Sequence, residues 1–510
     1  MPQLFNKTAA ELKKNDLSFY CALFVVAVSF GSGFVFSLNA QFICFTVLAL
    51  SFSYLFVKKS LRPHSLFLAF LPLAAVFLSY TGADFQTNVR TSSLVLINAV
   101  LAFFIVSYSK KRTKENLVAT FIIIGLWISF LLFVQRFSDF SATSNQAMLN
   151  INTAAGFLLL IYPLCFAFSR ENQYFPLFLL AAFIIFTAII LTKARAASVI
   201  AYAVTLFYFI SFKNVKFFRA FFILVSSVFI AGVIYAFYVK AGWDSFSDRL
   251  IWQKTAFLMF KDSSLFGVGF GNFSALFLAY RPEASLNTLF AHNIALQLLA
   301  ETGIFGILSF AVFAFAAAKR AIVSFKNSAP DSVYIRASAV GVTAFMFLNM
   351  CDYSFFIPAN ALVFFIMAAI ACNAAAQDSK LKAVGFVIFV PAVFFIYVFF
   401  NPVIAYNYYR QGNYLKALQY DSKNPDYLFN FYEIERGLAE EKGKDWQSHL
   451  KAAKQYALEA EKYYRHSAQI KFDIAYLYRI SGDREQFLKY LKLAQEADKF
   501  NPFYRLRISQ

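Results

Sequence analysis

Charged side chains are scarce in this chain: Asp, Glu, Lys and Arg make up 15% of its 510 residues, against 60% hydrophobic and 20% aromatic. So little charge could not cover that much apolar side chain in water, which excludes a soluble globular protein and implies a polytopic membrane protein. Acidic residues are scarcer still, 28 against 47 Lys plus Arg, for a formal net charge of +19. No nucleic-acid partner follows from that excess, because most of the cations lie in short breaks between apolar runs, where loop charge sets topology. The five cysteines (Cys21, Cys44, Cys165, Cys351 and Cys372) fall within apolar runs or at their ends, without metal or disulfide spacing. They read as small buried residues. Acidic pairs and Cys/His clusters with metal-ligand spacing are also lacking, so a chemistry with no metal and no cofactor is expected. The start of the chain is polar, with Lys13 and Lys14 before a long apolar stretch and no good cleavage site. That pattern reads as a retained first span rather than a signal peptide.

What is abundant is apolar sequence in span-length runs. At about 20 residues per crossing, thirteen helices are expected: 17–38, 41–57, 63–80, 92–108, 117–135, 152–169, 174–192, 197–212, 217–239, 291–318, 337–353, 357–376 and 383–400. The expected fold class is all-α, a polytopic bundle of about 12–13 transmembrane helices. With a cytoplasmic N-terminus that side holds 20 Lys and Arg up to residue 400, and the other face holds 9. The positive-inside rule therefore supports that orientation, and an odd number of spans puts residues 401–510 outside. Seven of the nine outer cations lie between Lys193 and Arg281, against the topology signal. An anionic ligand would account for them.

Past Asn401 the chain becomes rich in Tyr, Lys, Glu and Ala with helical periodicity. The stretch around Gly412 recurs in style around Gly482, 70 residues on, or about two helix–turn–helix repeats of 34 residues. This resembles a short tetratricopeptide array, which would bind a peptide or protein along a groove or act as a scaffold on the membrane part.

Candidate chemistry gathers in Ser247–Gly306. Arg249, Trp252, Gln253 and Ala256 share one face of a helix that Ser247 or Asp248 could cap. An interfacial helix with nothing to bind is the plain alternative. The run Leu265-Phe-Gly-Val-Gly-Phe-Gly-Asn-Phe273 lacks the spacing and the strand–helix–strand setting of a dinucleotide site, and its three glycines read as a sharp structural turn. Of four histidines, His64 lies at the cytoplasmic end of a span and His449 and His466 in the C-terminal region. Within the membrane part, His292 alone sits on the outer face, beside Asn293 at a helix start, where the macrodipole disfavours added positive charge and keeps imidazole neutral. Glu301, nine residues on, faces away from it and is expected to contact a Lys or Arg of a neighbouring helix. Asp352 is a second polar candidate near the outer end of its span. Arg195, in the tight turn Thr192-Lys193-Ala-Arg195, could fork onto phosphate oxygens or snorkel to headgroups. Lys193 and Arg281 could join it in binding an anion.

The order Arg249…Trp252…Asp262-Ser-Ser-Leu-Phe-Gly-Val-Gly-Phe-Gly-Asn-Phe273…Ala291-His-Asn293…Gln297…Ala300-Glu-Thr-Gly303…Gly306 closely resembles the Wzy_C module. O-antigen ligases, O-antigen polymerases and protein O-oligosaccharyltransferases share it. The Thr-Lys-Ala-Arg195 turn resembles the family's Ser-Arg turn, with Lys-Ala replacing the more usual residues; a thirteenth span and helical repeats occur in some members. The resemblance implies a GT-C-like transmembrane glycosyltransferase domain over residues 1–400, whose periplasmic loop 240–290 carries the motif 247–306. It also implies a periplasmic tetratricopeptide-like domain over 401–510, with the whole in a bacterial inner membrane. The donor would be an undecaprenyl-diphosphate-linked glycan, and the acceptor lipid A–core, a second glycan or a protein Ser/Thr. Carried over by position, Arg195 and Arg249 would hold the diphosphate and His292 would be the general base, with inversion and no metal. Trp252, Asn293, Glu301 and Asp352 would support them. A lipid or anion transporter is the contrasting class. Transporters carry midplane polar residues and repeat symmetry, whereas here the cations cluster at one face.

Overall fold

The computed structural model describes residues 17–31, 38–58, 76, 79, 87–107, 109–137, 151–166, 174–212, 216–238, 244–285, 287–327, 333–372, 400–501 and 503–504. All regular structure among them is helical, as the apolar periodicity requires. The expected spans 63–80 and 383–400 lie almost wholly outside the described residues. Three described helices are long and apolar enough to cross a membrane, at Lys111–Arg136, Lys216–Ile234 and Ile294–Phe315, and eight shorter apolar helices accompany them.

The chain divides into two compact units. The first comprises Met1–Leu71, Val95–Trp243 and Phe310–Phe389, and the second Pro72–Leu94, Asp244–Ser309 and Val390–Gln510. Residues 244–309, which hold most of the 240–290 loop, fall in the same compact unit as the C-terminal helices.

In the first unit α1 (Leu17–Gly31), α2 (Leu38–Lys58), α4 (Lys111–Phe137), α5 (Ile151–Ile161), α6 (Phe175–Leu191), α7 (Arg195–Phe212), α8 (Lys216–Tyr238), α12 (Val333–Leu348) and α13 (Pro358–Cys372) pack together with most of α3 (Thr87–Ser107). The centre is α5 and α13: every residue from Thr153 to Phe166 and from Pro358 to Cys372 is buried. The expected single span 152–169 is divided, because Pro163 lacks the N–H that would continue α5 and the chain tightens to a 3₁₀ turn over Tyr162–Phe166. Gly341 lets α12 approach so closely that a Cβ there would collide with the carbonyl oxygen of Leu160. Two hydrogen bonds between buried polar groups cross between helices, Tyr162 with Thr205 at 2.6 Å and Asn360 Nδ2 with the Thr153 carbonyl at 3.1 Å. Large apolar side chains face outward where lipid would be, among them Ile123, Trp127 and Phe130 on α4 and Phe217, Ile223, Ile230 and Ile234 on α8.

The C-terminal part of the second unit begins with a helix over 400–410 and continues through α14 (Tyr414–Tyr420), α15 (Pro425–Glu440), α16 (Trp446–Tyr463), α17 (Ala468–Ile480) and α18 (Arg484–Ala497). Helices α15 and α16 pair, as do α17 and α18. The likeness between the two glycines is geometric: Gly412 and Gly482 both stand left-handed, at φ 76° and 78°. In both, the next residue's N–H returns to a carbonyl five residues back, Asn413 to Tyr408 and Asp483 to Tyr478. Each is a helix C-terminus that only an achiral residue adopts at little cost. Side-chain N-caps follow at once, Asn413 accepting from Lys416 N–H and Asp483 from Gln486 N–H.

Two substitutions check this packing. Gly341→Val, which forces α12 off Leu160, is expected to cost about 1–3 kcal/mol. Gly437→Ala in the interior of α15, where a Cβ meets nothing, is expected to gain about 0.5–1 kcal/mol. Thermal unfolding in detergent reads both.

Candidate functional site

The second unit builds a site around a break in one helix. α11 (Ile294–Asn327) is interrupted at Gly303, whose φ of 64° and ψ of −163° no L-residue adopts without strain. The expected unbroken span 291–318 is thus two segments. The glycine run before α10 (Phe273–Tyr280) fills the break with backbone. Val268 and Gly269 donate to the Ala300 and Glu301 carbonyls at 2.9 and 3.0 Å, closing the first segment. Ile304 and Phe305 donate to Ser264 and Leu265 at 2.9 and 3.4 Å, opening the second. The groups orphaned by the break are satisfied strand-like, across the chain. A Cβ at Gly267 would collide with the backbone of Glu301 and Thr302, and one at Gly303 with the backbone of Leu265. The turn read from the three glycines is therefore one half of a two-part joint, and the partner glycine of Ala300-Glu-Thr-Gly303 is the half that periodicity concealed.

Glu301 sits at this joint, fully buried. Its Oε1 accepts from the Phe273 N–H at 3.2 Å and from Gln297 Nε2 at 3.3 Å, so it caps α10 in place of the side chain of Asn272. This corrects the expectation of a cationic partner: the carboxylate answers the unsatisfied N–H groups of a helix start. Gln297 passes the connection on. Its Oε1 accepts from the Ala291 N–H at 2.9 Å, so Glu301, though nine residues away, does bear on the residue before His292.

His292 stands at φ 54°, in the left-handed region. Asn293 caps α11, its Oδ1 accepting from the Leu296 N–H at 3.1 Å. The ring of His292 lies against Trp252, with centroids 4.6 Å apart and planes 34° from parallel. Trp252 comes from α9 (Asp244–Asp262), which starts a turn earlier than a cap at Ser247 or Asp248 would have it. The shared face read from the sequence is present. Ala256 is buried in a cluster with Met259, Phe273, Phe277, Ala291 and Ala300, and Trp252 packs on that cluster. Arg249 lies on the same face, its Nε buried and hydrogen-bonded to nothing among the described residues. Burial first, and the Arg249 charge second, hold the His292 imidazolium pKa down from 6.5 to about 4. At neutral pH the ring is therefore a neutral proton acceptor beside a fixed cation.

The remaining candidates stand elsewhere. Lys193 (φ 59°) and Arg195 are exposed in the first unit, in the turn between α6 and α7. Thr192 fixes that turn: its Oγ1 donates to the Ile189 carbonyl at 2.6 Å and accepts from the Ala194 N–H at 3.2 Å. Asp352, also in the first unit, is buried; its Oδ1 accepts from the Tyr353 and Ser354 N–H groups and from the Ser354 hydroxyl at 2.7–2.9 Å. It organises the 3₁₀ turn Ser354–Phe356 rather than serving as a reserve polar group. Arg281 is engaged as well. Its Nη2 meets Asp498 Oδ1 at 2.7 Å, its Nη1 donates to the Ser285 carbonyl at 3.0 Å, and its guanidinium lies over Phe500. That occupation takes it out of the set of anion-binding cations. Neither the pairing of Arg281 with Asp498 nor the hold of Gln297 on Ala291 was read from the sequence. The first is a contact 217 residues apart, and the second is a return of the Gln297 side chain to the chain just ahead of its own helix.

Residues 180–311 match the family model Wzy_C, described as O-Antigen ligase. No curated protein matches the chain. The matched segment contains Lys193, Arg195, Arg249, Trp252, His292, Gln297 and Glu301. The chain is a membrane protein by its apolar helices, and its segment 180–311 is similar to the O-antigen ligase family.

The helix break gives a direct test of the site's construction. Gly303→Ala should cost more than the roughly 1–3 kcal/mol of a left-handed alanine, because its methyl also meets the Leu265 backbone. Thermal unfolding should register the loss, and Trp252 fluorescence should report a loosened ring contact.

Proposed function

We propose that the protein transfers a glycan en bloc from an undecaprenyl diphosphate carrier to an acceptor hydroxyl at the periplasmic face of a bacterial inner membrane, with lipid A–core as the acceptor. The observation that carries this reading is the His292 ring set against Trp252 at the start of α11, where burial and the Arg249 charge lower its pKa. Arg249 presents a guanidinium to the departing diphosphate, where charge grows in the transition state. Arg195 has the same role by the family resemblance. His292 takes the proton of the acceptor hydroxyl as its oxygen attacks the anomeric carbon and the bond to the diphosphate breaks. A single displacement inverts that carbon, and the guanidinium groups supply the countercharge.

The buried pair of Arg281 and Asp498 supports placing the 240–290 loop and the C-terminal helices on the same face of the membrane. The helix–turn–helix pairs on that face also favour a second reading, with a protein Ser or Thr as acceptor, since such pairs offer a groove to a polypeptide.

The test is transfer in liposomes from a lipid-diphosphate-linked oligosaccharide. Lipid A–core, additional donor lipid and periplasmic protein are offered separately, with products read by mass. Transfer to lipid A–core is expected, with a loss of about 10²–10⁴-fold in His292→Ala. Arg249→Ala and Arg195→Ala should lower the rate for every acceptor alike. Intact donor with all three acceptors would overturn the reading.

The acid limb of kcat/KM offers a second check. A base works deprotonated, so the rate falls as pH falls through the free enzyme's His292 pKa. The fall is expected near pH 4 rather than 6.5.

A further inference from the structure

The mechanism leaves one buried pair of charges unexplained. Arg281 and Asp498 are 217 residues apart, yet their side chains are only 9% and 6% exposed and meet at 2.7 Å. Arg281 ends α10, its own N–H returning to the Phe277 carbonyl at 2.9 Å. Asp498 ends α18, the last of the paired C-terminal helices. The surroundings of the pair are aromatic: Phe500 lies under the guanidinium, and Tyr504, buried beside Ala468 and Ala497, has its hydroxyl pKa pushed up to about 12 by burial and by the Asp498 charge. In so little water the pair holds only as a pair, since a lone partner would leave an uncompensated charge.

Between Arg281 and His292 the described residues form no helix. Its near end is fastened by Arg281, which grips both Asp498 and the Ser285 carbonyl. Its far end is fastened where Ala291 donates to Gln297. Near the far end Thr288 folds the chain on itself, its hydroxyl donating to the Phe290 carbonyl and accepting from the Phe290 N–H. The segment leading into the candidate base is thus anchored on one side by the helix break and on the other by the end of the C-terminal helices.

We propose that Asp498 is a positioning residue for the transferase site: through Arg281 the C-terminal helices brace the 281–292 segment and so fix the approach to His292. The C-terminal helices are then a structural part of the catalytic unit. The proposal rests on the reading of His292 as the base, but the brace itself has a readout independent of activity.

The experiment uses the full chain in nanodiscs, as wild type, Asp498→Asn and the exchanged pair Arg281→Asp/Asp498→Arg. Amide hydrogen exchange is followed over 287–292 and over α17–α18, and glycan transfer is measured on the same samples. Asp498→Asn should speed exchange over 287–292 while α17–α18 keep their protection. It should also lower kcat on the order of tenfold, with KM for the lipid-linked donor little changed, as expected when a reacting group is displaced. The exchanged pair, which keeps the ion pair but loses the Arg281–Ser285 bond, should restore both in part. Unchanged exchange in Asp498→Asn would overturn the brace, and so would faster exchange with full transfer. Loss of protection throughout α17–α18, persisting in the exchanged pair, would show a role in folding alone and would also overturn it. A wild type that transfers to no acceptor would refute the proposed reaction and with it the positioning role, and the exchange data would still decide the mechanical link.

Discussion

Two backbones meet without side chains between them at Gly267 and Gly303, and the rest of the site depends on that meeting. Four hydrogen bonds from the glycine run replace those that α11 gives up where it breaks. Because these groups are satisfied by another stretch of backbone rather than by water, the break can sit in an apolar setting where an unpaired amide would be costly. The candidate residues of the second unit are held by it. Glu301 is the last residue of the first segment to give its carbonyl, and its side chain starts α10. Gln297, one turn earlier, holds Ala291. Ala300 and Ala291 form the small-residue floor on which α9 lies, and α9 brings Trp252 to the ring of His292.

Much of this could be read in the residues. The apolar runs gave helices close to where they are found, and the shared face of Arg249, Trp252 and Ala256 followed from helical spacing. His292 stood out in the sequence as a histidine at a helix start, where capping by Asn293 is local chemistry. What was hidden needed partners distant in sequence. A helix-period pattern runs through Gly303 uninterrupted, since Ile304 and Phe305 continue the apolar run, so nothing local marks the break. Pro163, by contrast, could have marked the change to a 3₁₀ turn, because a proline seven residues before a polar stretch limits the helix on either side.

Glu301 shows how a local reading goes wrong. A carboxylate within an apolar run suggests a cationic partner, and the protein supplies backbone and amide donors instead. Arg281 shows the opposite error. An arginine among outer-face cations suggested a ligand, and the protein supplies an aspartate from the far end of the chain. In both cases charge predicted that a partner was needed but not which kind, because the partner is set by the tertiary approach of α10 and α18.

The left-handed backbone at His292 limits which side chains could have stood there. Outside glycine that region is visited chiefly by Asn, Asp and His, and bulky or β-branched residues are strained in it. Lysine does stand in that region elsewhere in the chain, at Lys193 and Lys442, but a lysine or tyrosine is already protonated near neutral pH and could not take a proton there. An aspartate would fit the turn but would bring its own charge next to Arg249. The turn and the neighbouring guanidinium together thus favour a small, neutral, nitrogen-bearing side chain at position 292.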